Sequence, residues 1–458
     1  MYVSVIIPLY NGSKNIQETV QSVLDQTYKD FELIIVDDVS TDDSAKIVGS
    51  FIDERIRYIC HPKNRGANAA RNTGIKSSKG EIIAFLDQDD KFHPNKLATH
   101  VSYHLKNPQI GLTYNARYEL YYSTNFIREI VNPPQEVGLQ DLLTGFPVVP
   151  SEIVLKKEWI LRAGFWDEAG GRGAEYTFLG RLFLAGCRFA RVNGIHNYRG
   201  HHSGRVIKNI KTKCDFEIRN QEIIFSDPRF PENLRSIRNT ALSKSYLVWS
   251  YEALTQGENL VGVELFNKAV ELCPELLSAN RNELIQLILM YSITDKNIDH
   301  NPIIKKIVEK WSINLKERQV KNLINDGDQI KGLREIIWGR FDQGEKFIKE
   351  ASKRKAFFSD TVSEYLMHQL VLYSVEFGSQ KTRNLVQDID DHFSKIRGYY
   401  GKRILLGKLL IQRSFYSYEN REYSKIPKDI MFALFYNPKF IFNRGIISIF
   451  IKSIIYQT

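Results

Sequence analysis

The chain has 458 residues, which is too long for one typical hydrophobic core and predicts two or three domains. Its 43% hydrophobic and 25% charged residues are ordinary for a soluble globular protein and not for a disordered or fibrous one. The net charge of +10 is unevenly spread, because residues 401–458 hold ten Lys and Arg against three Asp and Glu.

The cysteines are scattered and show neither the paired spacing of a zinc site nor a disulfide framework, which fits a reducing cytoplasm. They are Cys60, Cys187, Cys214 and Cys273. No basic segment precedes the first apolar run at Val3, so we expect no signal peptide. No run of eighteen apolar residues occurs, so we expect no membrane-spanning helix. These features predict a cytoplasmic protein, and we expect no nucleic-acid partner.

The first ninety residues alternate between strand and helix signals. Apolar runs predict strands over 3–8, 32–36 and 82–86, and 57–59 is predicted to be a further short strand. Helical spacing predicts helices over 15–26, 40–48 and 67–75. Continuous apolar strands separated by helices are typical of a mostly parallel sheet that is covered on both faces. Ligands bind beyond the carboxyl ends of such strands, and Asp37, Asp38 and Asp87 stand at two of these ends.

From about residue 215 onward the pattern is helical only, which predicts an all-α region after the α/β domain. One segment, 246–274, has the spacing of a tetratricopeptide helix pair, with small residues at Gly262 and Ala269 and with Pro274 after them. One such pair cannot bury its apolar face alone, so neighbours are needed, and 330–351 and 364–396 are weaker candidates. The predicted domains are 1–212, 213–426 and 427–458, and the helical one offers a surface for a protein partner.

Several motifs in the first half occur in a fixed order. They are VSVIIPLYN at 3–11, SVLDQTY at 22–28, FELIIVDDVSTD at 31–42, NRG at 64–66, ARNTG at 70–74 and FLDQDD at 85–90. In this order and spacing they resemble the opening of family 2 glycosyltransferases, over roughly residues 1–205. The resemblance implies a GT-A-like α/β fold with a mostly parallel sheet flanked by helices. It also implies a nucleotide-diphospho-sugar donor and a divalent metal cofactor, Mn²⁺ or Mg²⁺.

The acidic motif at 85–90 suits the chemistry of a diphosphate leaving group. Such a group carries about two negative charges, and a divalent cation held by hard oxygen ligands can neutralise the charge that develops on it. Asp89 is the candidate metal ligand. Asp87, two residues earlier in an extended segment, is the candidate for binding the ribose hydroxyls or the waters of the metal.

The remaining donor residues follow from the resemblance. Asp38 matches the family position that reads the nucleobase, and Pro8 and Tyr10 lie beside it at the end of the first strand. Arg71 matches a family arginine near the base and the phosphates. Two structural alternatives stay open: Tyr10 as a residue of the core, and Arg71 as an arginine on the surface of a helix.

The acceptor side of the resemblance lies downstream. AGFWDE at 163–168 resembles the element that shapes the acceptor site, where Trp166 is either a platform for sugar stacking or a core residue. The family places a Glu-Asp pair before an Arg-Leu, with the Asp as general base, and here Ala174 and Glu175 occupy those positions. Glu175 is therefore the candidate base. Its extra methylene shifts the carboxylate, and misplacement of about 1 Å can reduce the rate by roughly a hundredfold.

YRGHHS at 198–203 resembles the end of the family's catalytic domain. There Arg199 is the candidate for pairing with phosphate, and His201 for contacting the diphosphate or completing the metal shell. Both assignments rest on the resemblance alone.

The basic, aromatic-rich segment 427–458 has two interpretations. It is either an interfacial membrane segment, which would place the protein peripherally on the inner face of the plasma membrane, or a terminal helix docked on the helical domain. The function expected for the whole chain is inverting, metal-dependent transfer of a sugar to a hydroxyl of a glycan or lipid-linked acceptor, in cell-surface polysaccharide assembly. The alternative is a non-catalytic nucleotide-sugar-binding or adaptor protein with a decayed transferase site, which the Ala174 departure favours.

Overall fold

The structure, a computed structural model, describes residues 1–121, 126–145, 148–201, 208–277, 288–289, 293, 299–311 and 316–455. The chain divides into two compact units. The first comprises Met1–Asn125 and Val131–Ser278, and the second comprises Phe126–Ile130 and Ala279–Thr458. The predicted domain boundaries at 212 and 426 stay a prediction.

The first unit holds eight of the nine strands and ten of the α-helices of the described residues. The strands are β1 Val3–Leu9, β2 Phe31–Asp37, β3 Ile56–Cys60, β4 Ile82–Phe85, β5 Asp90–Phe92, β6 Leu112–Tyr121, β7 Phe126–Val131, β8 Val154–Lys156 and β9 Phe189–His201. Of these, β7 belongs to the second unit apart from Val131. The helices are α1 Ile16–Leu24, α2 Ser44–Gly49, α3 Ala67–Ser77, α4 Lys96–Lys106, α5 Leu139–Gly145, α6 Lys157–Ala163, α7 Ala174–Leu184, α8 Ile210–Phe225, α9 Arg238–Thr255 and α10 Asn259–Leu272.

Eight strands of this unit form one sheet in the order β3-β2-β1-β4-β8-β6-β9-β5. The four strands from β3 to β4 are parallel, as the apolar runs predicted. The sheet then becomes mixed, because β8 is antiparallel to both β4 and β6, and β5 is antiparallel to β9. The α/β class with flanking helices is confirmed, and four of the seven pairings described among these eight strands are parallel.

Burial on both faces explains the unbroken apolar runs. Every residue of β1 and β2 is buried. Side chains alternate between the faces of a strand, so Val5 and Ile7 pack in one core cluster with Val20 of α1, whereas Ile6 packs in another with Ile75 of α3. Because β1 and β2 are parallel and in register, Leu9 lies beside Asp37 and both strands end at the same edge of the sheet.

The second unit is helical in the residues that are described, apart from its part of β7. Its helices are α11 His300–Lys310, α12 Glu317–Ile337, α13 Phe341–Lys353, α14 Asp360–Phe393, α15 Gly401–Glu419, α16 Ile426–Tyr436 and α17 Arg444–Ile455. Gly378 interrupts α14 with a non-helical backbone conformation, φ 79° and ψ 172°, so α14 consists of two helical segments.

Three helix pairs among the described residues share one register. In each pair a residue with positive φ turns the chain seven positions after a residue of the first helix and five positions before a residue of the second. The two residues are Ser250 and Gly262 around Gly257, Gly332 and Gly344 around Gly339, and Ser414 and Ile426 around Arg421. The segment 246–274 and the candidate 330–351 fall on two of these pairs, and the candidate 364–396 falls on the two segments of α14.

Small residues allow the helices of a pair to approach closely. A Cβ added to Gly332 would lie 3.2 Å from the carbonyl oxygen of Gly344, and one added to Gly344 would lie 3.0 Å from that of Gly332. In the α9–α10 pair the Ser250 hydroxyl donates to the carbonyl of Gly262 over 2.5 Å. In the part of the chain that the structure describes, no helix is long and apolar enough to cross a membrane.

Candidate functional site

The carboxyl ends of β1, β2 and β4 meet at one edge of the sheet, and Gln88 joins two of them. Its side-chain oxygen accepts from the Tyr10 N–H over 2.7 Å, and its side-chain nitrogen donates to the Tyr10 carbonyl over 3.0 Å. A Cβ on Gly12 would lie 2.9 Å from this amide, so the close approach requires glycine there. Pro8 is buried in β1. Tyr10 is half exposed, so the structure does not place its side chain in the core.

Asp38 is buried directly after β2 and holds the loop that follows β3. Its carboxylate accepts from the N–H groups of Arg65 and Gly66 and contacts Nδ1 of His61 over 2.7 Å. His61 Nε2 in turn contacts the Thr73 hydroxyl of α3 over 2.8 Å. Asp38 therefore organises the loop 61–66, and its role in reading a nucleobase stays a prediction.

Arg71 is a buried arginine and does not lie on an exposed helix surface. Its Nη2 donates to Asp87 over 2.7 Å and its Nη1 to Asn68 over 3.0 Å, while the guanidinium lies 4.8 Å from the centre of the Trp166 ring. The structure thus brings together three residues that the sequence singled out, Arg71, Asp87 and Trp166. The side chain of Asp87 is partly exposed at this edge of the sheet and is paired with Arg71.

Asp90 is the last carboxylate of the acidic segment 85–90. It is buried, and its carboxylate accepts from the Ser151 hydroxyl and from the Gly200 N–H. Burial raises the pKa of Asp90 well above its usual value, and the charges of Asp87 and Asp89 raise it further. The charges of Asp87 and Asp89 therefore act on Asp90, and a cluster of carboxylates of this kind is a setting that a divalent cation relieves.

The residues present fit a metal that is shared with a substrate better than one caged by protein. Among the described residues no group of three or more His, Cys, Asp or Glu side chains is arranged to hold an ion. Asp87 is paired with Arg71 and Asp90 with Ser151. Asp89 lies half-buried between them in the chain and stays the candidate ligand that the motif at 85–90 predicts. Mg²⁺ and similar ions commonly bind through one or two carboxylates together with phosphate oxygens.

Two asparagines of α3 bind the backbone of the element 164–168, which the resemblance assigns to the acceptor side. The side chain of Asn72 accepts from the Trp166 N–H over 3.0 Å and donates to the Trp166 carbonyl over 2.9 Å. Asn68 donates to the carbonyl of Asp167 over 3.1 Å, and Arg65 pairs with Glu168 over 2.7 Å. Neither asparagine was singled out from the sequence, although both flank Arg71 in the NAARN stretch that carries the resemblance.

Trp166 lies in the core and is only 2% exposed. Its ring stacks on Phe178 with the ring centres 4.1 Å apart and meets the edge of Phe85 at 5.5 Å. Of the two interpretations of Trp166, the structure shows the core residue. A face for sugar stacking would require the side chain to leave this packing.

Glu175 lies in the first turn of α7, after Gly173, whose φ of 81° starts the helix. Glu175 is half-buried. The pKa of the neighbouring Glu217 is raised by the burial of Glu217 and by the charge of Glu175, while the charge of Arg172 acts to lower it. Ala174 is buried in the same core cluster as Phe178, so an acid at that position would have to enter an apolar environment. This packing gives a physical reason for the departure from the Glu-Asp pair of the family.

Arg199 lies on β9 opposite Asp90 of β5, and its Nη1 is 3.7 Å from Glu119. Its side chain is about one-third exposed, so it can still reach a phosphate. The backbone of His201 pairs with Tyr121 at the end of β9, but its side chain lies outside the described residues. The predicted phosphate role of both residues stays a prediction.

Comparison with known proteins places this site in a family. The sequence profile described as Glycosyl transferase family 2 matches residues 4–149. An Escherichia coli protein named UDP-Glc:alpha-D-GlcNAc-diphosphoundecaprenol beta-1,3-glucosyltransferase WfaP is 30% identical over 210 residues, which cover 45% of this chain and 80% of that protein. The chain belongs to glycosyltransferase family 2.

Other relatives match over shorter parts of their length. The Escherichia coli protein WfgD, whose name gives the same UDP-Glc-dependent glucosyltransferase activity, is 37% identical over 155 residues, or 34% of this chain and 60% of WfgD. An uncharacterized glycosyltransferase of Rickettsia felis is 48% identical over 106 residues, 17% of its length. This chain therefore spans less than two thirds of these two relatives. A solved structure of S. aureus TarS 1–349 with UDP-GlcNAc has a TM-score of 0.44 at 16% identity, covering 78% of this chain and 93% of that one.

Proposed function

We propose that this glycosyltransferase family 2 protein transfers a sugar from a nucleotide-diphospho-sugar to a hydroxyl of a glycan or lipid-linked acceptor. The observation that carries the proposal is the acidic edge of the sheet, where Asp87, Asp89 and Asp90 lie together beside the buried Arg71. The names of WfaP and WfgD support a UDP-sugar as the first donor to test and a diphosphate-linked lipid as acceptor. A place in cell-surface polysaccharide assembly follows from such an acceptor.

In the proposed mechanism, charged groups orient the donor and neutralise its diphosphate. Arg71 holds Asp87 in one orientation, so that its second oxygen is available for the ribose hydroxyls. A divalent cation bound at Asp89, when present, supplies neutralisation of the charge on the leaving diphosphate. Arg199 approaches the same segment from β9 and adds a second cation toward the phosphates.

In the proposed mechanism, Glu175 is the general base of the sugar-transfer step. Its carboxylate takes the proton of the acceptor hydroxyl while the acceptor oxygen forms a bond to the anomeric carbon. The bond between that carbon and the diphosphate oxygen breaks on the opposite face, and its electron pair leaves with the nucleoside diphosphate. A single displacement of this kind inverts the anomeric centre and needs no second nucleophilic carboxylate. Asn68 and Asn72 hold the element that precedes α7 and so support the position of Glu175.

The test is a transfer assay with UDP-glucose and related nucleotide sugars, a lipid-diphosphate-linked glycan acceptor, and Mn²⁺ or a chelator. We expect transfer that the chelator abolishes and that Asp89→Asn reduces at least about a hundredfold. Asp43→Asn, which changes an exposed carboxylate outside the acidic edge, is the matched control and should retain activity. Transfer that persists in both the chelator and Asp89→Asn would refute metal-assisted chemistry at this edge.

The Ala174 departure favours one further candidate, a protein that binds the donor without reacting. Such a protein would gain thermal stability from the nucleotide sugar but would neither transfer the sugar nor hydrolyse the donor slowly. Slow hydrolysis of the donor without acceptor, present in the wild type and absent in Asp89→Asn, would therefore exclude the binding protein.

A further inference from the structure

The last described residues of the chain leave an apolar surface uncovered. In α16, Ile430 and Ala433 are buried, whereas Met431, Phe432 and Phe435 point outward, Phe435 with 72% of its surface exposed. We call the exposed apolar side chains of residues 426–455 the C-terminal apolar surface. Its members are Met431, Phe432, Phe435, Ile441, Phe442, Ile447, Ile451, Ile454 and Ile455.

The final helix, α17, is apolar on two opposite faces. Ile446 and Ile449 are buried and pack with Ile430 of α16 in one core cluster. Ile447 and Ile451 lie on the other face and are exposed. A helix that is apolar all round is normally covered on all sides. Docking on the helical region, one of the two interpretations of the sequence, therefore accounts for only one face of α17.

The charges around this surface have one sign. Lys428, Lys439, Arg444 and Lys452 are all exposed. The only acidic residue between positions 426 and 455 is Asp429, which is buried and paired with Arg413 of α15. Residues 426–455 therefore present apolar and aromatic side chains ringed by cations, with no exposed carboxylate.

We propose that the C-terminal apolar surface binds the surface of a bilayer that contains anionic phospholipids. Phe435, Phe442 and Ile451 enter the headgroup region, and the four cations bind the lipid phosphates. A second copy of the chain fits less well, because a two-fold contact through this surface would bring the same cations face to face. The helix lies on the membrane and does not span it, since the twelve residues of α17 extend about 18 Å against roughly 30 Å of hydrocarbon.

This inference goes beyond sugar transfer and does not depend on it, so it is tested on the full chain with phospholipid vesicles alone. We expect flotation with phosphatidylcholine vesicles that contain phosphatidylglycerol and little flotation with phosphatidylcholine alone. The triple variant Phe435→Ser, Phe442→Ser and Ile451→Ser should lose binding at least about tenfold. The matched control changes three exposed apolar residues elsewhere, Ile52→Ser, Leu161→Ser and Leu260→Ser, and should float like the wild type.

A second variant separates charge from apolar insertion. Each cation near an anionic surface contributes about fivefold to binding, so Lys428→Glu, Lys439→Glu and Lys452→Glu together should weaken flotation at least about a hundredfold. Charge reversal at three exposed lysines of the first unit, Lys29, Lys46 and Lys106, is the control and should have little effect. All these side chains are exposed, so the variants should fold, which circular dichroism checks.

Three results would overturn the proposal. The first is flotation that does not depend on phosphatidylglycerol. The second is serine and glutamate variants that float like the wild type. The third is a wild-type dimer in sedimentation equilibrium that the triple serine variant dissociates, which would assign the surface to a second copy of the chain.

Discussion

Single side chains stabilise the edge of the sheet where β1, β2 and β4 end, and Arg71 is an example. Its guanidinium is buried, pairs with Asp87 and Asn68, and lies over Trp166, while its Nε has no hydrogen-bond partner among the described residues. A buried charge with so few alternatives depends on its carboxylate partner. The pair therefore serves stability as well as orientation of Asp87.

Replacing Asp87 tests this dependence. Asp87→Asn keeps the shape of the side chain but removes the charge opposite Arg71, so we expect the free energy of unfolding to fall by about 1–3 kcal/mol. Denaturant unfolding followed by circular dichroism measures it. Glu158→Gln breaks the exposed pair with Arg162 and serves as the control, with an expected loss below about 0.5 kcal/mol. Equal losses in the two variants would contradict a stabilising role for the Arg71–Asp87 pair.

Glu335 of α12 is a buried carboxylate, and its protonation makes the stability of the fold depend on pH. Burial raises the pKa of Glu335 to about 7, with Arg334 and Lys331 acting in the opposite direction, and Arg340 lies 3.7 Å away. An unfolded Glu titrates near 4.3, so between these values the folded chain keeps a proton that the unfolded chain has lost. The stability from this group is complete below about pH 4.3 and falls as the pH rises through 7, by at most about 1.4 kcal/mol per pH unit.

Glu335→Gln removes this titration. The variant should match the wild type in unfolding free energy near pH 4 and exceed it near pH 8, as measured by guanidinium unfolding at both values. Glu309→Gln, which changes an exposed carboxylate, should keep the wild-type pH dependence. If Glu335→Gln shows the same fall with pH as the wild type, Glu335 is not the group responsible.

At the residue scale the sequence predicted the acidic and basic residues of the site but not what fastens them. Asp87, Asp89 and Arg71 stand in motifs with fixed spacing. Gln88 and Asn72, in contrast, act on backbone 78 and 94 residues away, at Tyr10 and Trp166. Nothing in local spacing shows which distant carbonyl an amide will meet, so only the structure reveals these contacts.

Among the elements, the helix pairs show a turn that is repeated with different residues. After α9, α12 and α15 the chain turns through a residue with positive φ, and the next N–H donates back to the helix: Glu258 to Ala253, Arg340 to Glu335 and Glu422 to Ser417. This is the Schellman ending of a helix, which favours glycine. Glycine occupies the first two turns, but Arg421, with a φ of 60°, occupies the third.

Arg421→Gly should therefore stabilise the protein, because a side chain costs about 1 kcal/mol in the left-handed conformation. Thermal and denaturant unfolding measure the gain. Gly339→Ala is the reverse change at the equivalent position, where an added Cβ meets no atom within 4 Å, so its expected loss of about 1 kcal/mol is conformational. A loss of stability in Arg421→Gly would show that the arginine side chain outweighs the backbone cost.

The sequence revealed only the first of these helix pairs clearly. The first pair has the expected pattern, with the small residues Gly262 and Ala269, the aromatic Phe266, and Pro274 after them, whereas the equivalent of Gly262 in the last pair is Ile426. A repeat whose small positions are filled by larger residues keeps its backbone register but loses its sequence signature. The number of pairs therefore had to come from the structure.

On the scale of the whole molecule, the parallel strands β1, β2 and β4 could be predicted because each is a nearly continuous apolar run in an alternating pattern of strands and helices, and the short strand β3 because it stands in the same pattern. The order β8-β6-β9-β5 could not, because these pairings join segments far apart in the chain, such as Asp90 with Arg199. The presence of α8 to α10 in one compact unit with the sheet likewise depends on contacts that the change of periodicity near residue 215 does not show.

In the proposed mechanism, donor binding and sugar transfer reside in different residues, and transfer depends on Glu175. The most direct test is the initial rate of sugar transfer as a function of donor concentration, for the wild type and for Glu175→Gln. We predict a kcat lower by about 10²–10⁴-fold, as expected for loss of a general base, with a KM for the donor within about threefold of the wild type. A kcat that stays within about threefold of the wild type would contradict the assignment of Glu175 as the base.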